Sequence, residues 1–156
     1  PITPSEVAYD SYVFGESKEL AVKDEIVGDG NMAKKGSMLV VEYKGRLMVT
    51  GKEFQSEKKY YFKLGEGRVM KGWDQGLPGM KVGGKRLLRI PPELALGDRG
   101  SRLVPPGADL EFEIVLKDAV EGPINEFLIS NGFGANPKTY GIIALIIFSA
   151  ILPQLQ

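Results

Sequence analysis

Residues 109–117 put Leu110, Phe112, Ile114 and Leu116 on one side of an extended chain and Asp109, Glu111, Glu113 and Lys117 on the other. A period of two sustained over that length fits only a strand with one face in a core and one in water. Residues 37–47 repeat the pattern, with Leu39, Val41 and Tyr43 alternating with Glu42 and Lys44. A strand around 60–64 and another over 85–90, stopped by Pro91-Pro92, join them, and a short strand is predicted over 20–26. Only residues 69–80 read as helix: Met70, Trp73 and Leu77 form one apolar stripe at spacings of three and four, and Gly76, Pro78 and Gly79 keep it short. With 20 Gly and 10 Pro in 156 residues, a helical bundle is excluded. The expectation is an α+β fold, an antiparallel sheet against one short helix.

The chain has no Cys and no His. Thiolate nucleophiles, Ser-His-Asp machinery and the common zinc and haem ligands are therefore missing, and no residue is expected to act as a catalytic acid or base. Neither a metal nor a cofactor is called for. The formal net charge of zero hides a division: residues 1–33 carry two lysines against seven acids, whereas residues 34–120 carry 17 basic against 11 acidic residues. An acidic arm of this kind can lie on its own basic domain or on a basic partner, but the dispersed excess forms no nucleic-acid stripe, and nucleic acid is not expected as a partner.

Four segments follow: an acidic N-terminal arm over 1–33, a domain over 34–120, a Gly/Pro linker over 121–137 and a hydrophobic helix over 138–156. Residues 140–152 are apolar all round apart from Ser149. Thirteen helical residues cover only about 20 Å of a hydrocarbon core roughly 30 Å thick, and a helix over 136–156 just spans it. The tail reads as membrane-associated; the competing reading packs it as a terminal helix on the domain or a partner.

Two glycine clusters suggest nucleotide sites and fail. Gly65-Glu66-Gly67 lacks the third glycine and the strand-helix context of a dinucleotide fingerprint. Gly79 to Lys85 matches G-x-x-x-x-G-K, but Arg86 replaces the required Ser/Thr and a strand follows where a phosphate-binding helix should begin. What remains is a set of large apolar side chains directed to one interior: Tyr43, Phe54, Phe62, Val69, Met70, Trp73, Val104 and Phe112. Most of their area must be core, yet a concave pocket floored by the single Trp is an equally natural product.

The order of segments 41–47 (Val-Glu-Tyr-Lys-Gly-Arg-Leu), 51–54 (Gly-Lys-Glu-Phe), 62–65 (Phe-Lys-Leu-Gly), 69–77 (Val-Met-Lys-Gly-Trp-Asp-Gln-Gly-Leu), 80–86, 90–92 and 104–112 resembles the signature of FKBP-type peptidyl-prolyl cis-trans isomerases, the immunophilins, over about residues 34–119. The resemblance implies a strongly twisted antiparallel sheet of five to six strands wrapped around one short helix. It also implies a substrate pocket comprising Tyr43, Phe54, Phe62, Val69, Met70, Trp73, Leu103, Val104 and Phe112, and prolyl protein segments as partners. Gln55 and Leu96 stand where the family commonly has Asp and Tyr, both polar handles on the substrate, so weakened activity is expected. The loop at Met48-Val49-Thr50 is more apolar than the usual turn and reads as a contact surface. Because the chain begins at Pro1, it is expected to be a matured product whose targeting peptide has been removed. Processed members with altered pockets resemble those of the chloroplast thylakoid lumen. The implied role is a membrane-tethered subunit or assembly factor of a larger membrane complex, such as a photosystem, with the domain on the lumenal side. The alternative is an active folding catalyst anchored in a secretory-pathway or other organelle membrane.

Overall fold

A computed structural model describes residues 8–131, and the predicted membrane-associated helix over 138–156 lies outside them. Among the described residues no helix is long and apolar enough to cross a membrane. Five strands, β1 (Ala21–Ile26), β2 (Met38–Leu47), β3 (Glu53–Lys63), β4 (Lys85–Ile90) and β5 (Leu110–Val120), form one antiparallel sheet in the order β1-β4-β5-β2-β3. Helix α1 (Lys71–Gly76) lies against the sheet and α2 (Pro123–Ser130) follows its last strand.

The alternating residues of β5 do what their spacing requires. Leu110, Phe112, Ile114 and Leu116 are all buried, and with Leu39, Val41, Tyr43, Leu88 and Ile90 they build the face that receives Trp73, Leu77 and Met80. On the outer face Glu111 and Glu113 are engaged by cations, Glu111 with Arg89 at 2.9 Å and Glu113 with Lys85 at 2.6 Å. They act as solvated cross-strand pairs. The Lys85 ammonium holds the Glu113 carboxyl below its ordinary range.

Helix α1 is shorter than the 69–80 stripe predicts. Met70 is still extended at ψ 152°, and Gly79 at φ +90° turns the chain out of the helix. Arg86 fixes the exit. Its guanidinium donates to the Gly76 and Pro78 carbonyls at 2.9 and 3.2 Å and grips Asp24 of β1 through Nε and Nη2 at 2.7 and 3.1 Å. A fork of fixed donors thus ties strand β1, strand β4 and the helix end together. Gly72 lets α1 approach β4, because a Cβ there would sit 2.5 Å from Ile90 Cγ2.

Three expectations are revised. Strand β3 runs well ahead of the predicted 60–64, since residues 53–59 lie along a sheet edge with mostly exposed side chains and show no hydrophobic period. The stretch expected as a Gly/Pro linker over 121–137 begins with helix α2: Pro123 sits at its first turn, where a missing N–H costs nothing. Leu128 and Ile129 of α2 are buried, Ile129 in a cluster with Val40 and Val120. The Met48-Val49-Thr50 loop is half covered. Met48 packs with Tyr9, Tyr12 and Ala21, leaving Val49 64% exposed.

Residues 9–25 lie on the domain. Tyr12 Oη donates to Asp109 Oδ1 at 2.5 Å and the Gly15 N–H to Asp109 Oδ2 at 2.9 Å. The Arg89 guanidinium stacks 4.0 Å from the Tyr9 ring centroid while donating to the Tyr9 carbonyl at 2.7 Å. Glu25 adds an ion pair to Lys85 at 3.1 Å, so acids of the first 33 residues meet cations of the domain.

Candidate functional site

Strands β2 and β5, the end of β3 and helix α1 converge on Trp73. The indole is 3% exposed and is surrounded by rings: Tyr43 at 5.0 Å and 81°, Phe112 at 5.2 Å and 87°, Tyr60 at 6.3 Å and 82°, and Phe62 tilted at 5.5 Å. Edge-to-face packing of this kind matches positive ring edges to negative faces and holds each ring in one orientation. Phe54 meets Phe112 in the same manner at 5.8 Å and 85°. Gly45 of β2 makes that meeting possible: a Cβ there would stand 2.7 Å from Phe112 Cε1 and 2.8 Å from Phe54 Cζ.

Above the indole opens a cleft of about 200 Å³, lined by Tyr43, Gln55, Glu57, Tyr60, Arg68, Val69, Met70, Trp73 and Phe112. This is smaller than the roughly 300 Å³ at which drug-sized sites begin, and suits a compact ring. Its far wall is a loop pinned to α1. The Asp74 carboxylate accepts the Gly65 N–H at 2.8 Å and the Gly67 N–H at 3.0 Å, with both glycines at positive φ. That clip places Arg68, Val69 and Met70.

Of the eleven residues expected from sequence, Tyr43, Gln55, Val69, Met70, Trp73 and Phe112 line the cleft. Phe54, Phe62 and Val104 pack in the surrounding core, behind the lining. Leu96 is half-buried against the same core and Leu103 is 61% exposed, turned to solvent on the 95–108 loop. Neither is among the residues that line the cleft. Glu57, Tyr60 and Arg68 were missed. Tyr60 shares a strand face with Phe62 and was discoverable from that alternation; the two charged residues carry no such signal.

Two donors in the site lack partners. Trp73 Nε1 is buried without a hydrogen bond, and no protein hydrogen bond engages the Tyr43 hydroxyl among the described residues. Burial, with the Glu57 charge and Tyr60 nearby, pushes the Tyr43 phenol up to about 12, so it remains a protonated donor at neutral pH. An unsatisfied buried donor costs about 1–3 kcal/mol, and such groups in native proteins call for a role. An aromatic hollow that presents an indole N–H and a phenol hydroxyl can seat an apolar ring and hold the carbonyls beside it.

The class of protein follows from a five-stranded antiparallel sheet closed over a short helix that carries an indole floor. The family described as FKBP-type peptidyl-prolyl cis-trans isomerase matches residues 30–117, and the chain belongs to it. It is similar to the Arabidopsis thaliana protein "Peptidyl-prolyl cis-trans isomerase FKBP13, chloroplastic", 47% identical over 111 residues, covering 61% of this chain and 53% of that protein. It is similar also to the "39 kDa FK506-binding nuclear protein" of Drosophila melanogaster, 46% identical over 100 residues, covering 62% of this chain and 28% of that one. The crystal structure of AtFKBP13 superposes with a TM-score of 0.60 at 44% identity, over 65% of this chain and 93% of that chain. The chain thus spans about half the length of the Arabidopsis relative and under a third of the Drosophila one.

Proposed function

We propose that this chain binds prolyl segments of protein chains in the Trp73 cleft and isomerises them slowly, and that residues 138–156 hold it at a membrane as a subunit or assembly factor of a larger complex. The observation that carries this reading is the open, aromatic cleft over Trp73. Rotation about an X-Pro amide meets a barrier of about 18–20 kcal/mol because resonance gives the C–N bond double-bond character. The twisted amide loses that resonance and its charge separation. A water-poor cleft therefore disfavours the planar amide relative to the twisted one, and binding to the twisted form lowers the barrier without proton transfer. The prolyl ring sits on Trp73 and Phe112, and the Tyr43 hydroxyl donates to a flanking carbonyl.

The slow rate follows from two positions. Gln55 lines the cleft as a neutral amide where the family commonly has a carboxylate, and Leu96 brings no hydroxyl. Each missing handle costs about 1–3 kcal/mol if it acts at the transition state, roughly five- to a hundredfold in rate. A protease-coupled isomerisation assay on the full chain tests this: Gln55→Asp with Leu96→Tyr raises the rate by at least fivefold. A wild-type rate already within tenfold of a typical family member, or no gain in the double variant, sinks the reading.

The apolar run at 140–152 and the relative named as chloroplastic support a thylakoid membrane with the domain in the lumen and a photosystem as the complex. The remaining boundaries are an N-terminal acidic segment over 1–33, the isomerase-type domain over 34–120 and a connection over 121–137. Membrane fractionation with and without residues 138–156 tests the tether, and unchanged partition on deletion removes it. Co-purification of the intact protein from its native membrane tests the complex.

A further inference from the structure

The cleft does not end at its aromatic rim. Tyr60 and Arg68 form a shared wall between it and an adjoining groove of about 520 Å³, whose other side includes Lys63 and Glu126 of helix α2. Helix α2 lies beyond residue 117, outside the family match, and contributes Glu126 to a groove otherwise lined by residues within it.

The charges around the wall are mostly spoken for. Lys63 pairs with Glu126 at 3.2 Å and with Glu66 at 4.0 Å, and Lys58 pairs with Glu42 at 3.0 Å. Arg68 has no ion pair or hydrogen bond among the described residues, although the Gly65–Asp74 and Gly67–Asp74 bonds pin the loop that presents it. Glu57, the acid on the same rim, is not within ion-pair distance of it. A guanidinium held at the mouth of an apolar cleft, exposed and uncommitted, is a fork of donors suited to a carboxylate.

Resting on the prolyl-binding reading above, we infer that the cleft selects X-Pro segments with an Asp or Glu on one flank of the proline, and that Arg68 is the specificity-determining residue. An acid on the flank nearer Arg68 is attracted; one directed toward Glu57 is repelled. Only one of the two flanks therefore gains from an acidic residue.

The test uses the full 156-residue chain and short peptides with a single proline, carrying Glu, Ala or Lys immediately before or immediately after it. Binding is read from the fluorescence of Trp73, the one Trp in the chain. At one flank the Glu peptide binds about three- to tenfold tighter than its Lys counterpart, the size expected of opposed rim charge interactions. Arg68→Glu inverts that preference, Arg68→Gln flattens it, and raising salt from about 0.02 to 0.5 M shrinks it. Saturable binding with no charge preference at either flank, or a preference that persists in Arg68→Glu, overturns the assignment while leaving prolyl binding intact. Failure of every peptide to bind, the Ala-flanked ones included, overturns the prolyl reading itself and the assignment with it.

Discussion

Gly45→Ala tests the geometry of the site at a single methyl group. Gly45 does not occupy the left-handed region, so alanine is allowed by the backbone, and restricting the unfolded chain alone stabilises by about 0.4–1 kcal/mol. The space is not allowed. The new Cβ would meet Phe112 Cε1 at 2.7 Å and Phe54 Cζ at 2.8 Å, against comfortable carbon contacts of about 3.5–4.0 Å. Phe54 is half-buried and can yield, but Phe112 is 2% exposed and its ring stands 5.2 Å from Trp73. Overpacking of this kind costs about 1–3 kcal/mol, which exceeds the backbone gain and leaves a net loss of about 1–2 kcal/mol. For a domain of this size that lowers Tm by about 4–8 °C in calorimetry. Because Phe112 carries the displacement to Trp73, prolyl-peptide binding weakens and the indole emission shifts. Adding Phe54→Leu removes one of the two obstacles and recovers part of the loss. A Tm at or above wild type in the single variant would refute the reasoning, since the backbone term would then be acting unopposed.

Tyr12→Phe deletes the hydroxyl that bonds the buried Asp109 carboxylate, leaving it only the Gly15 N–H. Hydrogen bonds to charged groups are worth about 1.5–3 kcal/mol, so a Tm drop of about 6–12 °C is expected; a drop under 2 °C means the N-terminal segment is not anchored there. Asp74→Ala releases the Gly65 and Gly67 amides, and the loop carrying Val69 and Met70 loosens. Prolyl-peptide binding should fall at least fivefold and amide exchange at 65–70 should quicken, both measurable by NMR. Burial raises the phenols of Tyr9, Tyr12 and Tyr43 above their ordinary value of 10.0, the last to about 12. A raised folded-state value means the folded protein holds its proton longer than the unfolded chain. Their contribution is therefore full below pH 10 and is lost as pH climbs above 10 through each folded-state value, about 12 for Tyr43 and higher for the other two. Urea midpoints measured from pH 8 to 11 should decline above pH 10, less steeply in Tyr12→Phe. On the acid side, Glu113, held low chiefly by its hydrogen bond with Lys85, contributes stability that disappears as pH falls below 4.5; Glu113→Gln flattens that limb.

Period-two alternation in residues 37–47 and 109–117 was enough to specify two of the three inner strands, because most residues pointing into the core must be apolar and their neighbours need not be, while Pro91-Pro92 bounded the third. The spacing of Met70, Trp73 and Leu77 likewise announced the helix, and the lone indole on it marked where a pocket belonged. Beyond that, local pattern runs out. Apart from Phe54, the first half of β3 is exposed at the sheet edge, so no alternation exists to be read there. The clasp of Tyr12 on Asp109 joins residues 97 apart, and nothing in either neighbourhood encodes the other. Leu96 and Leu103 sit in a long loop whose course is set by contacts and not by propensity, which is why one packs on the core and the other faces water. Arg68 and Glu57 reach the cleft only because the Asp74 carboxylate pins one loop and the β2–β3 pairing positions the other strand. The amino-acid order alone decided which side chains must leave water; the tertiary fold decided which of the remaining charges would stand at the mouth, because burial selects residue types locally whereas proximity between distant segments arises only when the sheet closes over the helix.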